Sequence, residues 1–164
     1  MPTTMKTIYC KFRKTAAALV ILVMASVLSG CQNNGDIGPW FGWWLLTDMT
    51  VDGEKYDKPF EDGYYVYFGF QSSIVSVTHT DEYYNSKVCY GLWEATDTEL
   101  ILNFDNHDDL PEGSHDSYDT PTYLLMDDKS VEHLKIVSNN WKTMVLDYVN
   151  AEGQEITYTL QKEF

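Results

Sequence analysis

The sequence beyond residue 30 predicts an all-β domain, closed as an up-and-down antiparallel barrel of about eight strands. Three observations carry this. Apolar and polar residues alternate with a period of two through most segments. Short polar turns containing Gly, Asp, Ser or Asn separate those segments. No segment of this part shows a long 3.6-residue apolar period. Consecutive strands with short connections pair with their sequence neighbours, and closing the sheet removes its exposed edges. A β-sandwich fits the same pattern less economically and stands as the alternative.

The elements follow in order. Residues 43–48 form a first strand, and Val51-Asp52-Gly53-Glu54 follows with an Asp-Gly turn. Segments 64–70 and 74–80 pair around Gln71-Ser72-Ser73, and 87–95 pairs with 99–104 across Thr96-Asp97-Thr98. A long polar stretch covers 105–120. Segments 123–126 and 131–137 are expected to pair next. The clearest hairpin comes last, where 142–149 and 154–162 flank the glycine-bearing loop Asn150-Ala151-Glu152-Gly153. Alternation then assigns an interior: Tyr64, Val66, Phe68 and Phe70 on one strand, Met144, Leu146 and Tyr148 on another, and Ile156, Tyr158 and Leu160 on the last.

Residues 1–30 predict a lipoprotein signal peptide and are set apart from the fold. Lys6, Lys11, Arg13 and Lys14 give a basic start, with no acidic residue before Asp36. The apolar run from Ala16 to Leu28 falls short of the roughly twenty residues a permanent span requires. It closes on Leu28-Ser29-Gly30-Cys31, which resembles the lipobox of bacterial lipoproteins. That resemblance implies a diacylglycerol thioether on Cys31 and cleavage before it. Several acyl chains at about 0.8 kcal/mol per buried CH₂ hold such an anchor in a membrane. Residues 31–39 are then a lipidated tether and 40–164 the barrel domain.

Composition excludes some partners. Removing 30 of 164 residues leaves 134, enough for one domain with a real core. All 25 acidic residues but only 7 of the 11 basic ones lie in this part, so its formal charge is −18. Such a surface repels phosphate backbones, and nucleic acid is not an expected partner. Cys10 leaves with the leader and Cys31 carries lipid, so Cys89 has no partner for an internal disulfide. The core alone must hold the domain together, and Cys89, in an apolar segment, reads as part of it.

Further residues bring a resemblance into view. Gly42-Trp43-Trp44-Leu45-Leu46 is a G-x-W-x-L pattern opening the first strand, and Gly91-Leu92-Trp93-Glu94-Ala95 repeats the G-x-W theme before a hairpin. With the closing strand Ile156-Thr157-Tyr158-Thr159-Leu160 and the lipobox, these resemble the small lipocalin-like lipoproteins of Bacteroides and their relatives. The resemblance implies a small barrel in the cell envelope, anchored in the outer membrane, with the side it faces left open. It assigns no ligand. The chain is shorter than a typical lipocalin and shows no helix before its final strands.

The mature part carries 22 aromatic residues once Tyr9 and Phe12 are removed. Trp44, Phe68, Trp93, Tyr148 and Tyr158 are the candidates for an interior lining that would take a small apolar or amphipathic ligand. Against this, a barrel of eight strands is filled by its own side chains. Tyr65, Tyr67, Tyr83, Tyr84 and Tyr90 are expected to point outward, where tyrosines suit sugar or protein contact. A protein-interaction module is therefore the alternative function, as an inhibitor of an envelope enzyme or an accessory subunit of a surface complex. Asp105, Asp108, Asp109, Glu112, Asp116 and Asp119 crowd one stretch, and Asp105, Asp109 and Glu112 are the candidate metal ligands there, weighed against a merely solvated acidic loop. The EF-hand pattern fails because Leu110 stands where glycine is needed, and His107 and His115 lack the Cys or His partners of a zinc site. No phosphate loop, nucleophile elbow or metalloprotease motif is present, so neither enzymatic activity nor a cofactor is expected.

Overall fold

Eight strands close on themselves because the first pairs with both the second and the last. The computed structural model describes residues 37–104, 116–127 and 131–163. All belong to one compact unit, Asp36–Phe164. The leader, the Leu28–Cys31 motif and most of the tether lie outside the described residues. The strands are β1 (Gly42–Val51), β2 (Glu54–Lys55), β3 (Tyr65–Gln71), β4 (Ile74–Thr80), β5 (Ser86–Ala95), β6 (Glu99–Asn103), β7 (Asp116–Ser117), β8 (Val131–Asn139), β9 (Thr143–Val149) and β10 (Glu155–Lys162). The barrel runs β1-β3-β4-β5-β6-β8-β9-β10 and returns to β1, every pair antiparallel. This is the predicted barrel and not the sandwich. Two-residue β2 and β7 are additions, the first on the end of β1 and the second parallel to β5.

A bulge lets β1 serve both neighbours. Its first residues pair with β3 from Gly42↔Phe70 to Leu45↔Tyr67, and the strand from Trp44↔Lys162 to Val51↔Ile156 pairs with β10. The register slips between Leu46 and Asp48, and Thr47 donates its hydroxyl to Thr159 O at 3.1 Å. One extra residue bends a strand and resets which side chains face inward. Trp44 and Leu46 therefore point into the lumen, as does Met49 three residues on, and all three are buried.

Side chains fill the interior. Val66, Phe68 and Phe70 of β3, Val75 and Val77 of β4, Leu100 and Leu102 of β6, Met144 and Leu146 of β9, and Ile156, Tyr158 and Leu160 of β10 form one buried cluster with Trp44. Burying a side chain of this size stabilises by about 1.5–3 kcal/mol. Cys89 is a buried thiol among them. Inward and outward faces fall as alternation predicts, except that Tyr64 precedes β3 and sits at the rim.

The two ends are covered differently. At one end the 3-10 turn Gly38–Trp40 lies across the opening, and Trp40 packs on Phe70 and Trp93 with ring centroids 5.3 Å from each. Trp44 Nε1 donates to Trp40 O at 2.9 Å. Lys162 ties the same turn down, donating to Pro39 O at 3.2 Å while its ammonium lies 5.1 Å from the Trp44 ring. At the other end, segment 123–126 departs from expectation. It is not a strand: Thr122–Leu124 form a 3-10 turn and Leu125 adopts φ 61°. Pro121 precedes the turn and has no N–H for a ladder. Its apolar residues are buried because they plug the mouth, Leu124 and Met126 pointing into the core. Strand β6 consequently pairs with β8 directly.

Candidate binding site

The five candidate lining residues are all in the barrel, spread along its axis. Trp44, Phe68 and Tyr158 have no accessible surface, and Tyr148 retains 4%. A side chain that no water-sized sphere can touch lines no open space; as packed, these residues are core. Trp93 belongs to the closed end, its ring 5.1 Å from Phe70, and its Nε1 is buried with no hydrogen-bond partner among the described residues. Tyr148 and Tyr158 belong to the mouth. Tyr148 donates its hydroxyl to Glu132 Oε2 at 2.7 Å and accepts Asp127 N–H at 3.1 Å. Tyr158 donates to Leu124 O at 2.7 Å. Burial, joined at Tyr148 by the Glu132 carboxyl, pushes both hydroxyls well above the ordinary phenol range.

The rim carries an aromatic stack. His79 lies between Tyr64 and Tyr123, with centroids 4.3 and 4.8 Å away and the rings nearly parallel. Its Nε2 is 3.2 Å from Pro59 O. Burial lowers the imidazole pKa, and the bond to Pro59 opposes that in part. Burial raises the Tyr123 hydroxyl, which has no hydrogen-bond partner among the described residues.

Accessible aromatic surface lies on the outer wall instead. Adjacent strands place Trp43, Gly69, Ser76 and Tyr90 in one row across β1, β3, β4 and β5. The two central residues are small, and the Trp43 ring rests over Gly69: a Cβ there would stand 3.0 Å from it and 2.6 Å from Ser76 Oγ. Trp43 thus forms a ridge between two clefts. One, of about 400 Å³, is bounded by Phe41, Ile74, Ser76 and Tyr90. The other, of about 440 Å³, is bounded by Tyr65, Tyr67 and Tyr84 with Thr80, Asp81 and Glu82 at its edge. Tyr65 on β3 faces outward as alternation predicts, at 46% exposure, and Tyr84 in the turn after β4 is 89% exposed.

The β4–β5 turn displays Tyr83 and Tyr84. The Asp81 carboxylate accepts the N–H groups of Tyr83 and Asn85, both at 2.9 Å, and Asn85 Nδ2 at 2.8 Å. The bond from the Asn85 side chain leads these in holding the Asp81 pKa below its ordinary value. Tyr84 takes φ 63°, an uncommon conformation for a bulky residue.

Sequence reasoning counted Trp43 within a motif but chose Trp44 for the site. The signal was the period of two, which puts consecutive tryptophans on opposite faces. Among the described residues no group of three or more His, Cys, Asp or Glu is placed to hold a metal. The candidate ligands Asp105, Asp109 and Glu112, like Cys31, lie outside the described residues.

Two solved structures share this fold. A lipocalin-like protein from Bacteroides uniformis is 17% identical, with a TM-score of 0.52 covering 77% of this chain and 100% of that one. An uncharacterized protein from Bacteroides eggerthii is 19% identical, with a TM-score of 0.52 covering 76% and 99%. No family model and no curated protein matches the sequence. The barrel is lipocalin-like in fold.

Proposed function

We propose that the chain is a cell-envelope lipoprotein, anchored in the outer membrane through Cys31, whose barrel is a rigid scaffold for binding a small amphipathic ligand on its outer wall. It does no chemistry on that ligand. One observation carries the placement: the inward aromatics Trp44, Phe68 and Tyr158 have no accessible surface, while Trp43 and Tyr84 stand exposed beside a cleft of ligand size. Anchoring is supported by the basic start, apolar run and Leu28-Ser29-Gly30-Cys31 motif.

Two measurements test the reading. Expressed with radiolabelled palmitate, the chain should take up label and enter the detergent phase on Triton X-114 partition. Cys31→Ser should do neither, and label retained by that variant would refute the anchor. A ligand found by metabolite screening should perturb the Trp43 indole signal and bind Trp43→Ala more weakly. Unchanged binding to that variant would refute the outer-wall site at Trp43.

A protein partner is the second reading. Phe41 and Ile74 at the cleft of about 400 Å³, and Leu92 paired with Ile74 on the next strand, are each about half exposed, and apolar area of that kind suits docking.

A further inference from the structure

We propose that the cleft between Trp43 and Tyr84 binds a free, soluble organic cation, a small molecule bearing an alkylated ammonium group; this rests on placing the ligand site on the outer wall. Four aromatic residues bound the cleft, Trp43, Tyr65, Tyr67 and Tyr84, and its polar edge holds two carboxylates, Asp81 and Glu82. No lysine or arginine is among its described lining residues. An aromatic face carries negative potential and attracts a cation, most strongly when the cation has shed its water, as alkylated ammonium does readily. Carboxylates beside such faces add to the attraction. Burial foremost, and then the Glu163 carboxylate, a third negative charge near Tyr67, raise that hydroxyl and keep the ring neutral.

Other occupants fit less well. Anions meet the carboxylates and a mature charge of −18. A hard metal ion wants six to eight oxygen ligands, whereas this cleft is lined mainly by aromatic side chains. A volume of about 440 Å³ suits a small molecule, and a protein side chain would come with a far larger surface. Lys87 lines the neighbouring cleft beyond Tyr84 and sets the limit of the cation-attracting region on that side.

Choline and its uncharged carbon isostere, 3,3-dimethylbutan-1-ol, separate charge from shape. Titrated into the full mature chain, choline should shift the Trp43 indole N–H resonance in a saturable way, and added salt should weaken it. The isostere should bind about fivefold to tenfold more weakly. Trp43→Ala should abolish the shift at the other reporting positions. Glu82→Gln, an exposed change that leaves the barrel packing alone, should weaken choline about twofold to threefold without affecting the isostere. Equal binding of both probes, both lost in Trp43→Ala, would overturn the cation assignment while leaving the outer-wall site standing. Choline binding untouched by Trp43→Ala would overturn both. No response to choline overturns the proposal. Phosphatidylcholine vesicles that bind the soluble mature chain more tightly than choline would assign the site to a lipid headgroup, also against the proposal.

Discussion

Trp43 and Trp44 are adjacent in sequence and lie on opposite sides of one barrel wall. Trp44 is fully buried and donates its indole N–H to Trp40 O, while Trp43 lies across Gly69 with 39% of its surface exposed. One tryptophan helps hold the closed end shut and the other is available to a ligand. Trp44→Ala should therefore cost about 3–5 kcal/mol, the range for truncating a large buried aromatic. Trp43→Ala should cost about 1 kcal/mol or less beyond its lost contact with Gly69. Urea midpoints of the two variants compare them directly, and equal losses would contradict the assignment of faces.

Glycines in β3 and β5, on either side of β4, should differ in their tolerance of a methyl group. At Gly69 a Cβ meets Ser76 Oγ and the edge of the Trp43 ring, and both side chains can move. At Gly91 it meets the backbone carbonyl of Asn103 at 2.6 Å and the buried Phe104 ring at 3.0 Å. The strand itself must yield there. Gly91→Ala should cost about 2–3 kcal/mol and Gly69→Ala about 1 kcal/mol. Gly69→Ala should also move the Trp43 indole resonance, which Gly91→Ala should leave in place.

These contrasts mark what the sequence made legible. A period of two assigned Val66, Phe68, Ile156, Tyr158 and Leu160 to the interior because a strand buried on one face leaves that mark. Alternation has no symbol for Thr47, since a bulge changes parity without changing composition. It also misread Tyr123–Met126, where apolar residues are buried by capping the mouth and not by pairing. The site was harder still. Composition announced many aromatics, but only register across four strands puts two small residues, Gly69 and Ser76, between Trp43 and Tyr90.

Glu132 is nearly inaccessible and accepts the Tyr148 hydroxyl. Tyr148→Phe removes a donor to a buried carboxyl and the acceptor of Asp127 N–H, and should cost about 2–3 kcal/mol. Tyr158→Phe removes a single bond to the carbonyl of Leu124, a neutral pair, and should cost about 1 kcal/mol. Thermal or urea unfolding gives the order, and a larger loss at Tyr158 would contradict it.

The rim histidine should make stability sensitive to mild acid. His79 is partly buried between two rings, and its folded pKa lies below the ordinary 6.5. Above pH 6.5 both folded and unfolded chains hold it neutral, so its contribution is complete. As pH falls below 6.5 the unfolded chain takes up a proton that the folded chain resists, and stability drops until the folded pKa is passed. Replacing His79 by Phe should flatten the urea midpoint between pH 6.5 and 5.

Buried tyrosines should act in the opposite direction at high pH. Tyr123, Tyr148 and Tyr158 all have folded pKa values raised above 10.0, with burial the leading cause. A raised pKa gives stability that is complete below the unfolded value. Above pH 10 the unfolded chain releases phenolic protons that the folded chain keeps, so unfolding becomes progressively easier. Absorbance at 295 nm reports phenol ionisation, which an unperturbed tyrosine undergoes at about pH 10. The buried set should ionise later, in one cooperative step coincident with loss of the β-sheet circular dichroism signal. Smooth titration of every tyrosine with the sheet signal retained would mean that these three hydroxyls reach water in the folded state, and that the mouth is open.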